Sequence, residues 1–180
     1  MLFITVPAAD LFDEATQQFV KFDGGALMLE HSLVSLSKWE SFTEKPFLGQ
    51  DPKTREETIE YIKFMNSAPV NSPEIYDHLS ASNYNEISRY IDAKMTATWF
   101  TETAPSRGHD EVITAEIVYY WMIALQVPIE AQYWHLNRLL TLIKVMNFKN
   151  SPAKKMGRQS AAQQRRMLND QRLAQMNTTG

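Results

Sequence analysis

The chain of 180 residues contains no cysteine. That excludes a disulfide framework and any thiolate metal site, and the chain has no need of an oxidising compartment. Glycine is scarce, with six residues, and no phosphate-cradling glycine loop can be assembled from them. No G-x-S-x-G nucleophile turn occurs. The longest apolar run, Ile117–Leu125, falls far short of the roughly 20 residues that span a bilayer, so no membrane partner is expected. The opening MLFITVPAADLFDE has no basic segment and turns acidic at Asp10, which makes it a poor secretory signal. These absences together lead to the expectation of an intracellular, soluble chain.

What is present is ample core material, 44% apolar, with all four tryptophans in the first 150 residues. Charge is unevenly placed. Residues 151–180 carry six basic side chains and one acidic, a net of +5 against −3 for the whole chain, which leaves −8 on residues 1–150. An acidic body with a basic tail points to a tail that contacts an acidic surface. The candidate partner-binding residues are therefore Lys154, Lys155, Arg158, Arg165, Arg166 and Arg172. Nucleic acid ranks lower as their partner, because no aromatic residue accompanies the tail's charges.

Periodicity predicts a mainly α, α+β fold: a helical domain with a small N-terminal antiparallel β element and a basic C-terminal tail. The divisions fall at 1–30, 31–150 and 151–180. Leu2–Val6 has strand character, and Phe19–Phe22 and Ala26–Leu29 flank Asp23-Gly24-Gly25, a hairpin-turn signal. Leu29, Leu33, Leu36 and Trp39 then share one helical face behind Ser32 as N-cap, with Trp39, Phe42 and Phe47 expected to pack inward. Thr54 and Glu57 form a capping box ahead of Ile59, Ile62 and Met65. Ser72-Pro73-Glu74 starts a short helix carrying Ile75 and Leu79. Asn83 and Glu86 repeat the cap pattern before Ile87 and Ile91.

Residues 96–110 read as an irregular connection with a short extended piece at 96–100. Ile117–Leu125 is apolar throughout, which predicts a helix buried on all sides. Pro128 ends it and can start the next helix, whose stripe is Ile129, Leu136, Leu140 and Ile143. The two would form an αα-hairpin core over 112–148. Residues 159–175 favour helix by propensity but offer only Met167, Leu168 and Leu173 to pack, so alone they should be frayed.

Catalytic patterns are lacking. His31, His78, His109 and His135 fall in separate elements with no i, i+3 or i+4 pair, so no metal site is expected from local spacing. His135, on an apolar segment, reads as a satisfied buried imidazole. Asp51, Glu56, Glu57 and Glu60 gather where a helix begins, where acids are favoured electrostatically. Glu116 flanks the most apolar segment and reads as a partner-facing or paired carboxylate. No enzyme and no cofactor is expected.

The wording HSLVSLSKWES…KPFLG, then KTREETIEYI, YIDAKMTATWF and ITAEIVYYWMIALQVPIEAQYWHLNRLLTLIKV, with a Lys/Arg-rich end, resembles a family of small tail-module proteins of tailed bacteriophages. The resemblance covers about residues 27–175. These proteins are associated with the region near the tape-measure gene, where tail assembly chaperones are encoded. The resemblance implies a non-enzymatic chaperone in the host cytoplasm, binding the tape-measure or tail-tube protein, with Trp39, Trp99, Trp121 and Trp134 serving fold and interaction surfaces. The alternatives are a structural virion component, such as a self-associating tail-completion or connector subunit, and a nucleic-acid-binding accessory protein.

Overall fold

A computed structural model describes residues 1–13, 17–70, 72–100, 112–150 and 166. The fold is α+β, mainly helical. Two compact units are distinguished, Met1–Asn147 and Phe148–Gly180. In the second, the described residues are the end of one helix and Arg166, which is helical and exposed.

Four strands open the chain: β1 (Leu2–Val6), β2 (Ala9–Asp13), β3 (Gln18–Phe22) and β4 (Gly25–Leu29). β1 pairs antiparallel with β4 and β2 with β3. The two ladders keep one register, running from Leu2 opposite Leu29 to Val6 opposite Gly25, then from Ala9 opposite Phe22 to Asp13 opposite Gln18. They are one long hairpin broken once, where Pro7-Ala8 faces Asp23-Gly24. Pro7 has no N–H for the ladder. Gly24 adopts φ +70°, and a Cβ there would lie 2.5 Å from the Val6 carbonyl oxygen and 2.7 Å from the Ala8 nitrogen. The expected turn at Asp23-Gly24-Gly25 is thus a kink within one arm of the hairpin. Gly24 does take the left-handed conformation that the sequence demands, but its place in the ladder depends on the opposing Pro7.

Alternation fixes the faces of the inner ladder. Ile4, Val6, Leu27 and Leu29 are buried, while Phe3, Thr5 and Ala26 are exposed. The free edge of β4 is covered by the segment after the second helix. Ser67 N–H donates to the Met28 carbonyl, and the Asn66 side-chain oxygen accepts from Met28 N–H.

Helices α1 (Leu33–Thr43), α2 (Arg55–Met65), α3 (Ala81–Asp92), α4 (Ala115–Ala124) and α5 (Leu136–Asn150) follow, with 3₁₀ turns at Pro73–Tyr76 and Ile129–Tyr133. α1 begins at the expected Ser32 cap, which closes a reciprocal box with Ser35. α2 begins at the Thr54–Glu57 box. Ser72 precedes Pro73 at the first turn but makes no side-chain cap. α3 is capped by Ser80, with Asn83 as its reciprocal partner at the third position, so the cap lies three residues before the expected one. Leu29, expected on the α1 face, instead closes β4.

Three further expectations change. Residues 96–100 form no strand. The helix expected from Ile129 begins at Leu136: a 3₁₀ turn comes first, and Trp134 is extended. The reason is tertiary. Ser32 bridges His135, and Leu136 N–H donates to the His31 carbonyl at 2.7 Å, which draws this backbone onto the start of α1. Finally, α4 is not buried on all sides. Ala115, Val118 and Met122 face the core, whereas Tyr120 is 67% and Ile123 75% exposed.

The core gathers Leu33, Leu36 and Trp39 of α1, Tyr61, Ile62 and Met65 of α2, Val118 and Met122 of α4, and Leu136, Leu139 and Ile143 of α5, beneath the inner β-ladder. Phe42, expected inside, is 62% exposed at the rim of that face, with its ring edge-on to Phe64 at 5.9 Å.

Candidate functional site

The stretch 31–49 is a packing hub. Trp39 is buried, and its indole N–H donates to the Glu57 carbonyl at 2.8 Å. Phe47 stacks on Tyr61 with ring centroids 4.1 Å apart and meets Trp39 edge-on at 5.1 Å. The Lys53 ammonium lies 4.3 Å above the Phe47 ring and donates to its carbonyl at 2.8 Å; burial lowers the Lys53 pKa.

Glu40 is buried in this hub. One carboxylate oxygen accepts from Phe47 N–H at 2.8 Å and the other from Ala115 N–H at 2.7 Å. Ala115 is the first residue of α4, whose own N-cap Thr114 makes no side-chain cap. α1 therefore supplies the anion that α4 needs at its positive end. Local sequence could not show this, since the partners lie 7 and 75 residues away.

The two histidines without a sequence relationship meet. His31 and His135 approach edge-on with centroids 5.1 Å apart. His31 Nδ1 is 2.5 Å from the Tyr61 hydroxyl, and Tyr61 is also near Ser35. His135 Nδ1 accepts from Asn137 N–H at 3.3 Å, so its Nε2 carries the proton donated to the Tyr90 carbonyl at 2.9 Å. The Tyr90 hydroxyl donates to Glu30 at 2.6 Å. Burial holds the His31 pKa down at about 3, with His135 adding to the effect. Burial also lowers His135 and raises Tyr61 and Tyr90. The cluster ties the starts of α1 and α5 to α2 and the end of α3. His31 and Tyr61 are each 2% exposed, so solvent and substrate do not reach the pair. Among the described residues, no group of three or more His, Asp or Glu side chains could hold a metal ion.

Among the described residues, two surfaces present accessible aromatic and charged groups together. On the first, Glu116, Tyr120 and Ile123 share the outer face of α4 at spacings of four and three. Across the following turn, Ile129 and Tyr133 of the 3₁₀ segment are exposed too. The Tyr119 hydroxyl donates to the Gln132 side chain at 3.0 Å and fixes that segment against α4. The second is a cleft of about 300 Å³ between the segment after α3 and one side of α5, lined by Lys94, Thr98, Trp99, Phe100, Leu140 and Lys144 among others. The Lys94 ammonium sits 4.0 Å over the Trp99 ring.

Of the residues singled out from sequence, Glu116 is exposed on the α4 surface. Trp39 is buried, Trp121 half-buried, and Trp99 and Trp134 exposed. Arg166 is exposed. Lys154, Lys155, Arg158, Arg165 and Arg172, with His109 and the stretch 101–111, lie outside the described residues. Sequence alone does not show the outward half of α4, because an unbroken apolar run is compatible with burial on one side or on all. Its three aromatics in sequence, Tyr119-Tyr120-Trp121, were the available signal, since such residues are enriched at interfaces. Among the described residues no helix is long and apolar enough to cross a membrane. No family model, no curated protein and no solved structure matches the chain.

Proposed function

We propose that the chain is a non-enzymatic tail assembly protein of a tailed bacteriophage, acting as a chaperone that holds the tape-measure or tail-tube protein until polymerisation. One observation carries this reading: the outer face of α4 presents Tyr120 and Ile123 to solvent, continued by Ile129 and Tyr133. An apolar face of this kind suits an apolar helical segment of a client, covered until it finds its final place. The body around it carries −8 and keeps the complex dispersed. The resemblance of residues 27–175 to tail-module proteins supplies the setting, which is the host cytoplasm. The basic tail, Lys154 to Arg172, adds an electrostatic contact to acidic stretches of the client.

Quantitative mass spectrometry of purified particles against infected-cell lysate tests this. Abundance in lysate with absence from particles supports a chaperone. A fixed copy number in particles overturns it in favour of a structural virion component. Co-expression with the tape-measure protein tests the tail: if deleting 151–180 leaves client solubility unchanged, the tail has no part in holding it.

A further inference from the structure

The cleft beside α5 holds what the basic tail lacks, aromatic rings among ammonium groups. Trp99 and Phe100 supply the rings and are 75% and 41% exposed. Lys94 and Lys144 line the same cleft, and among the described residues neither pairs with a carboxylate. No acidic side chain is among the cleft's described lining residues, although residues 1–150 carry −8. Two features fix the walls. Asn137 of α5 donates both side-chain N–H groups to the end of α3, to the Ile91 carbonyl at 2.9 Å and the Ala93 carbonyl at 3.0 Å. Its Oδ1 is therefore the atom it offers to the cleft it lines. Met95, two residues on, takes φ +50°, a left-handed conformation that a methionine adopts only where its surroundings impose it. Beyond it the chain brings Trp99 beneath the Lys94 ammonium, 4.0 Å from the ring centre.

We propose that this cleft binds a single nucleotide unit, its base against Trp99 and Phe100 and its phosphate at the Lys94 and Lys144 ammoniums. The volume of about 300 Å³ is that of a small-ligand pocket and suits one such unit. Bases stack on aromatic side chains whatever their identity, because each has a flat π face. The lysines hold a phosphate as point charges, and Lys94 keeps its place over Trp99 while donating, since its ammonium has three N–H groups. Asn137 Oδ1 is the acceptor for an exocyclic amine such as that of adenine. The acidic body repels a polyanion, so a free mononucleotide is favoured as the source over the end of a nucleic-acid strand. The site uses neither Tyr120 nor Ile123, so it stands apart from the client-binding reading.

The test is isothermal titration of the full-length chain at low salt with adenosine monophosphate, adenosine, inorganic phosphate and a short single-stranded oligoadenylate. Adenosine monophosphate is expected to bind at a single site and to weaken as salt rises. Adenosine and phosphate each offer half of the chemistry and should bind about tenfold more weakly. Trp99→Ala should cost about tenfold in affinity, while Trp99→Phe keeps most of it. Lys94→Gln and Lys144→Gln should each cost several-fold and flatten the salt dependence. All three positions are exposed, and circular dichroism checks that each variant is folded. Oligoadenylate that binds more tightly than the mononucleotide supports the site and makes a strand its source. No binding of either at millimolar concentration overturns the proposal, as does binding that folded Trp99→Ala and Lys144→Gln leave unchanged. Inorganic phosphate that binds as tightly as the mononucleotide overturns it too, since the rings then contribute nothing. If Trp99→Ala is unfolded, Lys144→Gln alone decides, with unchanged binding counting against the site.

Discussion

The Glu40 carboxylate accepts the backbone N–H of Ala115, 75 residues further along the chain, at 2.7 Å. Its other oxygen takes Phe47 N–H, so one buried side chain fixes the exit of α1 and the start of α4 together. Replacing it with alanine leaves two buried N–H groups unpaired. That should cost about 3–5 kcal/mol, from the desolvation of each orphaned donor. Glu40→Gln keeps one acceptor but turns an NH₂ group toward the other donor, and should cost about half as much. Urea denaturation of both variants gives the two values. Amide exchange at 115–118 should quicken in both, and an unchanged rate there would show that α4 does not depend on this clamp.

Acid should weaken the fold through His31. Its folded-state pKa of about 3 lies below the ordinary 6.5, so the unfolded chain takes up the proton first as pH falls. The stabilisation is complete above pH 6.5 and drains away between 6.5 and about 3. By linkage the loss at pH 5 is about 2 kcal/mol from this residue. His135, also lowered, adds in the same direction. Denaturant midpoints measured from pH 7.5 to 4.5 should fall accordingly. In His31→Phe the slope should flatten, even though the variant is weaker throughout for want of the Tyr61 contact. A slope unchanged by that substitution would assign the acid sensitivity elsewhere.

Gly24 constrains the backbone of the hairpin. At φ +70° an alanine meets about 1–3 kcal/mol of backbone strain. Its Cβ also collides with Val6 and Ala8 main-chain atoms, which cannot swing aside. Gly24→Ala should therefore destabilise the hairpin. Gly25→Ala is the comparison, since its Cβ would meet only the Cδ1 end of Ile75, at 2.7 Å. Thermal melts should place Gly24→Ala well below Gly25→Ala. Equal midpoints would mean that the hairpin kink is not held by Gly24.

These cases separate what local sequence carries from what it does not. Ser32 and the Thr54–Glu57 box could be read because capping is an exchange between residues three apart. The alternation of Ile4 and Val6 with Phe3 and Thr5 likewise belongs to one strand. Asp23-Gly24 announced a left-handed residue, yet whether the chain reverses or kinks there is decided by Pro7 across the ladder. Glu40 looks like any helical glutamate until Phe47 and Ala115 come to it. His31 and His135 each looked solitary for the same reason. The α4 face failed differently: composition reports how apolar a segment is, and only packing reports which side is left over.

That leftover side gives the last prediction. Tyr120 and Ile123 are 67% and 75% exposed, and little of either is spent on the core. Tyr120→Glu and Ile123→Glu should therefore shift the melting midpoint by no more than surface substitutions usually do, within about 0.5 kcal/mol. A client's apolar helix, by contrast, would meet a buried carboxylate with no partner. In a pull-down of co-expressed tape-measure protein, each variant should lose most of the complex and the pair nearly all of it. Val118→Glu belongs beside them as a folding control, because Val118 is fully buried and its replacement should unfold the chain outright. If the surface variants hold the client as well as the wild type while remaining folded, α4 is not the client-binding face, and the exposed aromatics need another role.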